Sequence, residues 1–564
     1  MTEESSPGTR AAGVGPQPWL VPASYAQERI WFASQLAPEA VYQVVDQFEL
    51  RYPVGAADVA AALSTVCQRH ETLRTSLMVR DGQIVQAVWP RIDPPLDRLD
   101  LAHLPGPAQQ DRLGELFDGL AGTPLPLDRA PLWRATLVRL GPAAWALLLV
   151  VHHAVFDAAS AANLRAEVTE LCAAAAQRRP ADLPELAIQY ADYAVWQRRQ
   201  LAGDRMAELM SFWRRELAGL QAGPALPADL RRPAERSFAG AHIIFGLPGT
   251  AQAAAALARR HSATPFMVML AAYAALLHRL SSAADIVVGL PVGGRDRPEL
   301  QPLIGMFVNV IVIRVDAGGD PPFTELLARA RRALLAAWEH QDMPFQTLAG
   351  QFPRRDPAVP PLYQLSFNYL DIGFSRSAPV TEDDMALEIY GEQARLEYNT
   401  ALFTEPTARR IADGYRRVLS AVLEDPGVRL AELPVPGLAP EPDRRQPPDE
   451  PREPSGGPGT AGPRTPFIAP RTAAEELVAQ VWAEVLGTDR VGAASDFFDL
   501  GGHSLLALRV IARLCAVTGT ELTIQSFFAD TTVAGVAAEL ERLLSAELAD
   551  MPEDEAARLA AGEE

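Results

Sequence analysis

The sequence predicts a large mixed α/β body joined by a proline-rich linker to a small all-α bundle. Three observations carry this. Apolar strand-like runs alternate with helix-length amphipathic stretches up to about residue 433. Twelve prolines fall between Pro434 and Pro470. Helical periodicity alone marks the 75–80 residues that follow. At roughly 100–200 residues per domain, the 564-residue chain holds three to five domain-sized units.

In the body, Trp145–Val151 is short, apolar and bounded by turn signals, as a buried strand is. Ile286–Leu290 and Val308–Ile313 read the same way, whereas Ala253–Leu280 and Phe323–His340 read as helices. Some 415 residues exceed one usual domain, so two subdomains are expected, about 18–197 and 198–433. The Gly/Pro/Ser-rich start, 1–17, reads as a disordered tail. The segment 434–470 reads as an extended, semi-rigid linker.

The bundle is placed at 471–550, with an acidic tail at 551–564. Thr472-Ala-Ala-Glu475 has the form of a capping box. Leu477, Val478, Val481, Trp482 and Val485 follow at helical spacing, and Gly487 stops the helix. Leu505 to Ile511 begin a second helix, Phe527 and Phe528 lie in a short connector, and Thr532 opens the last helix. These make three main helices and a short fourth.

Net charge is −19, from 51 basic and 70 acidic residues, and every basic residue is arginine. Residues 472–564 hold 17 acids and 5 arginines, so 12 of the 19 net negative charges sit there. Such a balance disfavours a sequence-independent grip on nucleic acid or on an anionic membrane. Three scattered cysteines, Cys67, Cys172 and Cys515, supply neither a disulfide framework nor a thiolate metal site, and no metal is expected. The longest apolar run, Ala143–Val151, is far short of a membrane span. A cytoplasmic, monomeric protein is the expectation.

Two segments could carry chemistry. In Val151-His-His-Ala-Val-Phe-Asp-Ala-Ala-Ser160 a buried strand ends in two histidines and an aspartate. Adjacent side chains on a strand face opposite ways, so His152 and His153 do not share one cavity. One is structural and the other free to take a proton near neutral pH. Asp157 could orient the loop by pairing with an arginine. The bland reading is a core histidine satisfied by backbone. In Asp499-Leu-Gly-Gly-His-Ser504, Gly501 and Gly502 make a bend and Ser504 sits where a helix begins. A helix N-terminus favours an attached phosphate, while the bland reading is an ordinary N-cap serine.

Residues 496–508, Asp-Phe-Phe-Asp-Leu-Gly-Gly-His-Ser-Leu-Leu-Ala-Leu, resemble the phosphopantetheine attachment motif of peptidyl carrier proteins. The body resembles a nonribosomal peptide synthetase condensation domain along nearly its whole length. Ser24–Trp31 is similar to that family's first motif, Arg69–Thr75 to the second and His152–Ser160 to its HHxxxDG motif. Tyr190–Trp196, Ile304–Asn309 and His340–Phe345 are similar to the fourth, fifth and sixth, and Arg354-Arg-Asp356 is a faint echo of the seventh.

The resemblance implies two chloramphenicol-acetyltransferase-like subdomains in a V, with a tunnel between them, plus a four-helix carrier. It implies a 4′-phosphopantetheine arm on Ser504. It also implies transfer of an acyl or peptidyl group from a donor thioester to an acceptor amine, in some members a hydroxyl. His153 is then the catalytic imidazole, acting as base or positioner. His152, Asp157 and Ser160 support it, with Arg295 as the candidate partner of Asp157.

The motif departs from the family at Ala158, which stands where the pattern has glycine. A glycine there permits positive φ or close approach, and an added methyl could narrow the acceptor side. Expected partners are donor carrier proteins and a phosphopantetheinyl transferase. Since no stretch resembles an adenylation domain, an adenylation enzyme acting in trans is expected too. The alternative is a catalytically silent platform that recruits carriers or tailoring enzymes. An epimerase relative normally follows its carrier, and a heterocyclising relative would replace both histidines, so these are disfavoured.

Overall fold

The computed structural model describes residues 17–36, 42–220, 226–352, 358–370, 376–377, 381–435, 467–488, 490–497, 499–500, 502 and 504–550. Residues 1–16 of the expected tail, most of the linker, the acidic tail 551–564 and the seventh-motif echo at Arg354–Asp356 lie outside these residues.

The smaller subdomain runs β1 (Trp19–Pro22), α1 (Tyr25–Leu36), β2 (Gln43–Leu50), α2 (Ala56–Arg69), β3 (Thr75–Arg80), β4 (Gln83–Val88) and β5 (Leu96–Asp100). It continues with α3 (Gly106–Ala121), β6 (Trp133–Gly141), β7 (Ala144–His152), α4 (Ala158–Gln177) and α5 (Tyr190–Gln200). The larger subdomain runs α6 (Asp204–Glu216), β8 (Gly240–Gly246), α7 (Thr250–Arg260), α8 (Pro265–Ser281), β9 (Asp285–Val292) and β10 (Asn309–Asp316). Then come α9 (Phe323–Glu339), α10 (Phe345–Ala349), β11 (Leu365–Tyr369), β12 (Arg376–Ser377), β13 (Met385–Tyr390), β14 (Gln393–Asn399) and α11 (Glu405–Glu424). The bundle holds α12 (Ala473–Leu486), α13 (Ser504–Thr518), α14 (Ile524–Ala529) and α15 (Val533–Asp550).

The smaller subdomain contains a five-stranded sheet, β12-β2-β7-β6-β5, and a three-stranded one, β1-β4-β3. The larger has six strands in the order β10-β9-β11-β13-β14-β8. The two-residue β12 leaves the larger subdomain and pairs antiparallel with β2, Arg376 opposite Val45 and Ser377 opposite Val44. β7 is central, and Ala146 to Val151 are almost wholly buried on both faces, which is why its sequence is uninterrupted in apolar residues.

The apolar periodicity of Ala253–Leu280 predicts one helix, but there are two, bent by 100°. Ser262 takes φ +51°, and Thr264 caps α8 by accepting from Met267 N, with Pro265 at its first position. A Thr-Pro pair starts a helix and cannot continue one. The whole run Met267–Leu277 is buried because α8 is the central helix of the larger core. Phe527 and Phe528, read as a connector, belong to the short helix α14, capped by Thr523. The capping box of α12 is half formed. Thr472 accepts from Glu475 N, while the Glu475 carboxylate turns to Arg471 N instead of Thr472 N.

Candidate functional site at the subdomain seam

β7 ends at His152, and His153 opens a single 3₁₀ turn, His153–Val155. The two rings therefore diverge because the strand stops between them, not by strand alternation. The His152 ring is buried and its Nδ1 accepts from Ala154 N at 3.1 Å. Burial, with the His153 ring adjacent, pushes its pKa down to about 3, so it stays neutral at every physiological pH.

His153 is half-buried, and its backbone N donates to Tyr42 O at 2.8 Å. Its Nδ1 lies 2.6 Å from Phe156 O. A carbonyl only accepts, so the ring proton sits on Nδ1 and Nε2 keeps a lone pair. Burial holds the His153 pKa below its ordinary value. The Phe156 carbonyl opposes that shift, as do Asp157 and Glu382, while the Arg29 cation adds to it.

Asp157 caps α4. Its Oδ1 accepts from Ser160 N at 2.8 Å and lies 2.7 Å from Ser160 Oγ. Arg295 Nη2 donates to both carboxylate oxygens at 2.9 and 3.1 Å, and Phe307 N donates to Oδ2 at 3.2 Å. Arg295 Nη1 donates to Leu300 O and Leu303 O, and the guanidinium lies 4.1 Å over the Phe307 ring. Ser160 Oγ lies 2.9 Å from both Gly305 O and Gly305 N. This polar knot joins α4 of one subdomain to the 295–307 segment of the other. Both charges are almost fully buried, at 6 % and 2 % side-chain exposure.

Ala158 is exposed at the first position of α4 and is not among the residues with positive φ. The position thus needs no glycine backbone, and its methyl points to open surface.

The other motifs brace the same seam. His70 Nε2 is 3.0 Å from both Glu167 oxygens, and Thr72 Oγ1 donates to Ile304 O. Tyr190 OH bonds Ser24 Oγ and Met306 O, and its ring lies so close over Gly305 that a Cβ there would overlap it. Asn309 Nδ2 donates to Gln341 O and Met343 O, and Asn309 Oδ1 accepts from Phe345 N.

Two cavities lie along α1 between the subdomains. The larger, about 420 Å³, is lined by Tyr25, Trp196, Arg297, Asn309 and Asp342 among others. The smaller, about 60 Å³, is lined by Arg29, Phe32, Tyr42, Phe345 and Glu382 among others. Tyr25, Arg29 and Phe32 succeed one another at three- and four-residue steps, so one helix face walls both. Arg29 and Glu382 form an ion pair at 3.3 Å across the smaller cavity, from opposite subdomains. Neither was singled out from sequence. Arg29 lies inside the Ser24–Trp31 motif, a signal that could have found it, but nothing in the sequence around Glu382 marks it.

Ser504 opens α13, and its side chain lies outside the described atoms. The bend before it is tight: a Cβ on Gly502 would overlap the Phe497 ring and carbonyl. Phe497 packs between Trp482 and Phe527 in the bundle core. Among the described residues no group of three or more His, Cys, Asp or Glu could hold a metal, and no single helix is long and apolar enough to cross a membrane.

A two-subdomain α/β body with paired histidines at its seam, followed by a four-helix carrier, defines the class. The chain belongs to the condensation-domain family: that family's model matches residues 20–437, and the phosphopantetheine attachment site model matches 476–540. It is thus a nonribosomal peptide synthetase condensation domain with a phosphopantetheine carrier domain.

One of the linear gramicidin synthase proteins of Brevibacillus parabrevis is 36 % identical over 440 residues, 74 % of this chain and 8 % of that protein. Phosphinothricin tripeptide synthetase PhsC of Streptomyces viridochromogenes is 37 % identical over 455 residues, 75 % of this chain and 42 % of that protein. The chain thus spans less than half the length of either relative. Among solved structures, the X-domain in complex with OxyB from teicoplanin biosynthesis is similar at TM-score 0.65 and 26 % identity, covering 77 % of this chain and 99 % of that one. SgcC5 from Streptomyces globisporus is similar at TM-score 0.62 and 27 % identity, covering 72 % of this chain and all of that one.

Proposed function

We propose that the body, about 18–433, transfers an acyl or peptidyl group from a donor carrier thioester to an acceptor amine, or a hydroxyl. Ser504 of the 471–550 carrier bears the phosphopantetheine arm. The observation that carries this reading is the state of His153: Nδ1–H is tied to Phe156 O, and Nε2 is left as a base. The amine nitrogen attacks the thioester carbonyl, and Nε2 takes the amine proton as the C–N bond forms. The C–S bond then breaks, and the leaving thiolate takes that proton back. Depressing the pKa keeps the ring neutral and receptive. Asp157, Ser160 and Arg295 hold the turn that presents it, and neutral His152 supports the turn through Ala154 N. Arms on both substrates raise their effective concentration and orient them.

The proposed partners are a separate donor carrier, an adenylation enzyme acting in trans and a phosphopantetheinyl transferase. The proposed setting is the cytoplasm, with the chain as a monomer. The likeness to the X-domain, solved in complex with OxyB, favours a second reading, a platform that recruits another enzyme. A reconstituted assay with His153→Ala separates the two. Lost product supports acyl transfer by this centre, and undiminished product supports the platform.

A further inference from the structure

β3 and β4 are joined by two residues, Asp81 and Gly82, with φ of +51° and +68°. Two successive positive φ values make a type I′ turn, and Asp-Gly is its preferred pair. The tip of this hairpin carries no side chain at residue 82, and the carrier helix α13 lies on it. A Cβ built on Gly82 would meet Arg509 Cα at 3.3 Å and Ala512 Cβ at 3.5 Å. Arg509 and Ala512 are three apart and share one face of α13. A second contact is made by α14, which packs on α1. Apolar residues of the two domains, Phe32 and Ile84 on one side and Val510 and Phe527 on the other, belong to one continuous cluster. The Arg509 cation also acts on the Glu28 carboxyl of α1.

α1 has a second neighbour, the 3₁₀ turn that begins at His153. Twelve residues make it about 18 Å long, so the carrier and the turn that begins at His153 pack on one short rod. The same helix walls both cavities of the cleft.

We propose that the Asp81-Gly82 turn, bare at residue 82, is the recognition point for this chain's own carrier, and that a carrier seated there feeds its Ser504 arm along α1 to the His153 turn. The proposal rests on the reading of Ser504 as the attachment residue and His153 as the reactive imidazole. It adds which carrier is served, from which face, and which residues select it. Gly82 acts by absence: a Cβ there would press on Arg509 Cα at 3.3 Å and shift α13 by a few tenths of an ångström, and a longer side chain would shift it further.

The test uses the full chain. A phosphopantetheinyl transferase loads Ser504 with a chloroacetamide-bearing pantetheine arm. Nε2 of His153 displaces chloride, forming a C–N bond, and the ring gives up its Nδ1 proton to solvent. The bridged peptides are quantified by mass spectrometry, so the readout needs no turnover. The expected result is a cross-link whose rate does not change on dilution.

Gly82→Asn adds a side chain that tolerates the left-handed turn. Ala512→Trp adds bulk on the facing helix. Each is expected to slow cross-linking about fivefold or more by lowering the effective concentration of the arm. Free chloroacetyl pantetheine should alkylate His153 equally in all three proteins, which shows that the centre is intact. Native cross-linking rates in both variants overturn the proposal. So does a rate proportional to protein concentration, which would assign the contact to a second copy. Condensation is assayed in parallel. A cross-link without product defeats the acyl-transfer reading and leaves the docking inference standing.

Discussion

Burial holds the His153 pKa down, and two neighbours of opposite sign from opposite subdomains then adjust it, which gives a signed prediction. Arg29 pushes its pKa down and Glu382 pushes it up. The other groups acting on the ring are Asp157, which raises it, and the Phe156 carbonyl, which also raises it. The reaction proposed above needs the neutral ring, so its rate should fall as pH drops through a pKa that lies below the ordinary 6.5. Arg29→Gln removes a cation, so the acid limb of the pH–rate profile should move to higher pH. Glu382→Gln removes an anion and should move it to lower pH. Shifts in the same direction, or none, defeat the assignment.

His153→Ala should cost about 10²–10⁴ in rate if the ring transfers the proton. The doublet was legible as chemistry because a strand end followed by two imidazoles and an acid is an uncommon pattern. Glu382 was not legible: it lies 229 positions from His153 in the numbering, and no periodicity links residues that far apart.

At the scale of elements, α4 is anchored by its own cap. Asp157 serves the α4 N-terminus and Arg295 with one carboxylate. Removing one member of a buried ion pair strands the other, at about 3–5 kcal/mol. Arg295→Ala should therefore lower unfolding stability by about that amount in urea titration. A loss under 1 kcal/mol would mean the pair is solvated.

Gly305→Ala should cost about 1–3 kcal/mol, because the Tyr190 ring occupies the space a Cβ needs. Unaltered stability would show that the ring can shift aside. The sequence named Arg295 and Ser160 through motif resemblance, since spacing alone cannot bring residue 295 to residue 157. It missed the break between α7 and α8 because apolar periodicity runs through it. The Thr264-Pro265 start signal was there to be weighed against that periodicity.

At the scale of the whole molecule, the acidic bundle and the body were separable from composition alone, because prolines crowd between them. The seating of one on the other was not. It depends on a turn with no side chain at residue 82 and on Arg509 and Ala512, which no pattern marks. Intact-mass measurement after treatment with a phosphopantetheinyl transferase should show one arm on the native chain and none on Ser504→Ala. An unmodified native chain would sink the carrier assignment.

The strand exchange at β12 constrains how far the two subdomains can part. Its two residues complete the neighbouring subdomain's sheet, while a buried ion pair clasps the same two halves elsewhere. Swinging the halves apart would rupture ladder rungs and strand a desolvated charge. The two halves are therefore held against opening from the side. In the acyl transfer proposed above, cargo would thread in lengthwise, tip first, and chain girth rather than chain length would select what is joined.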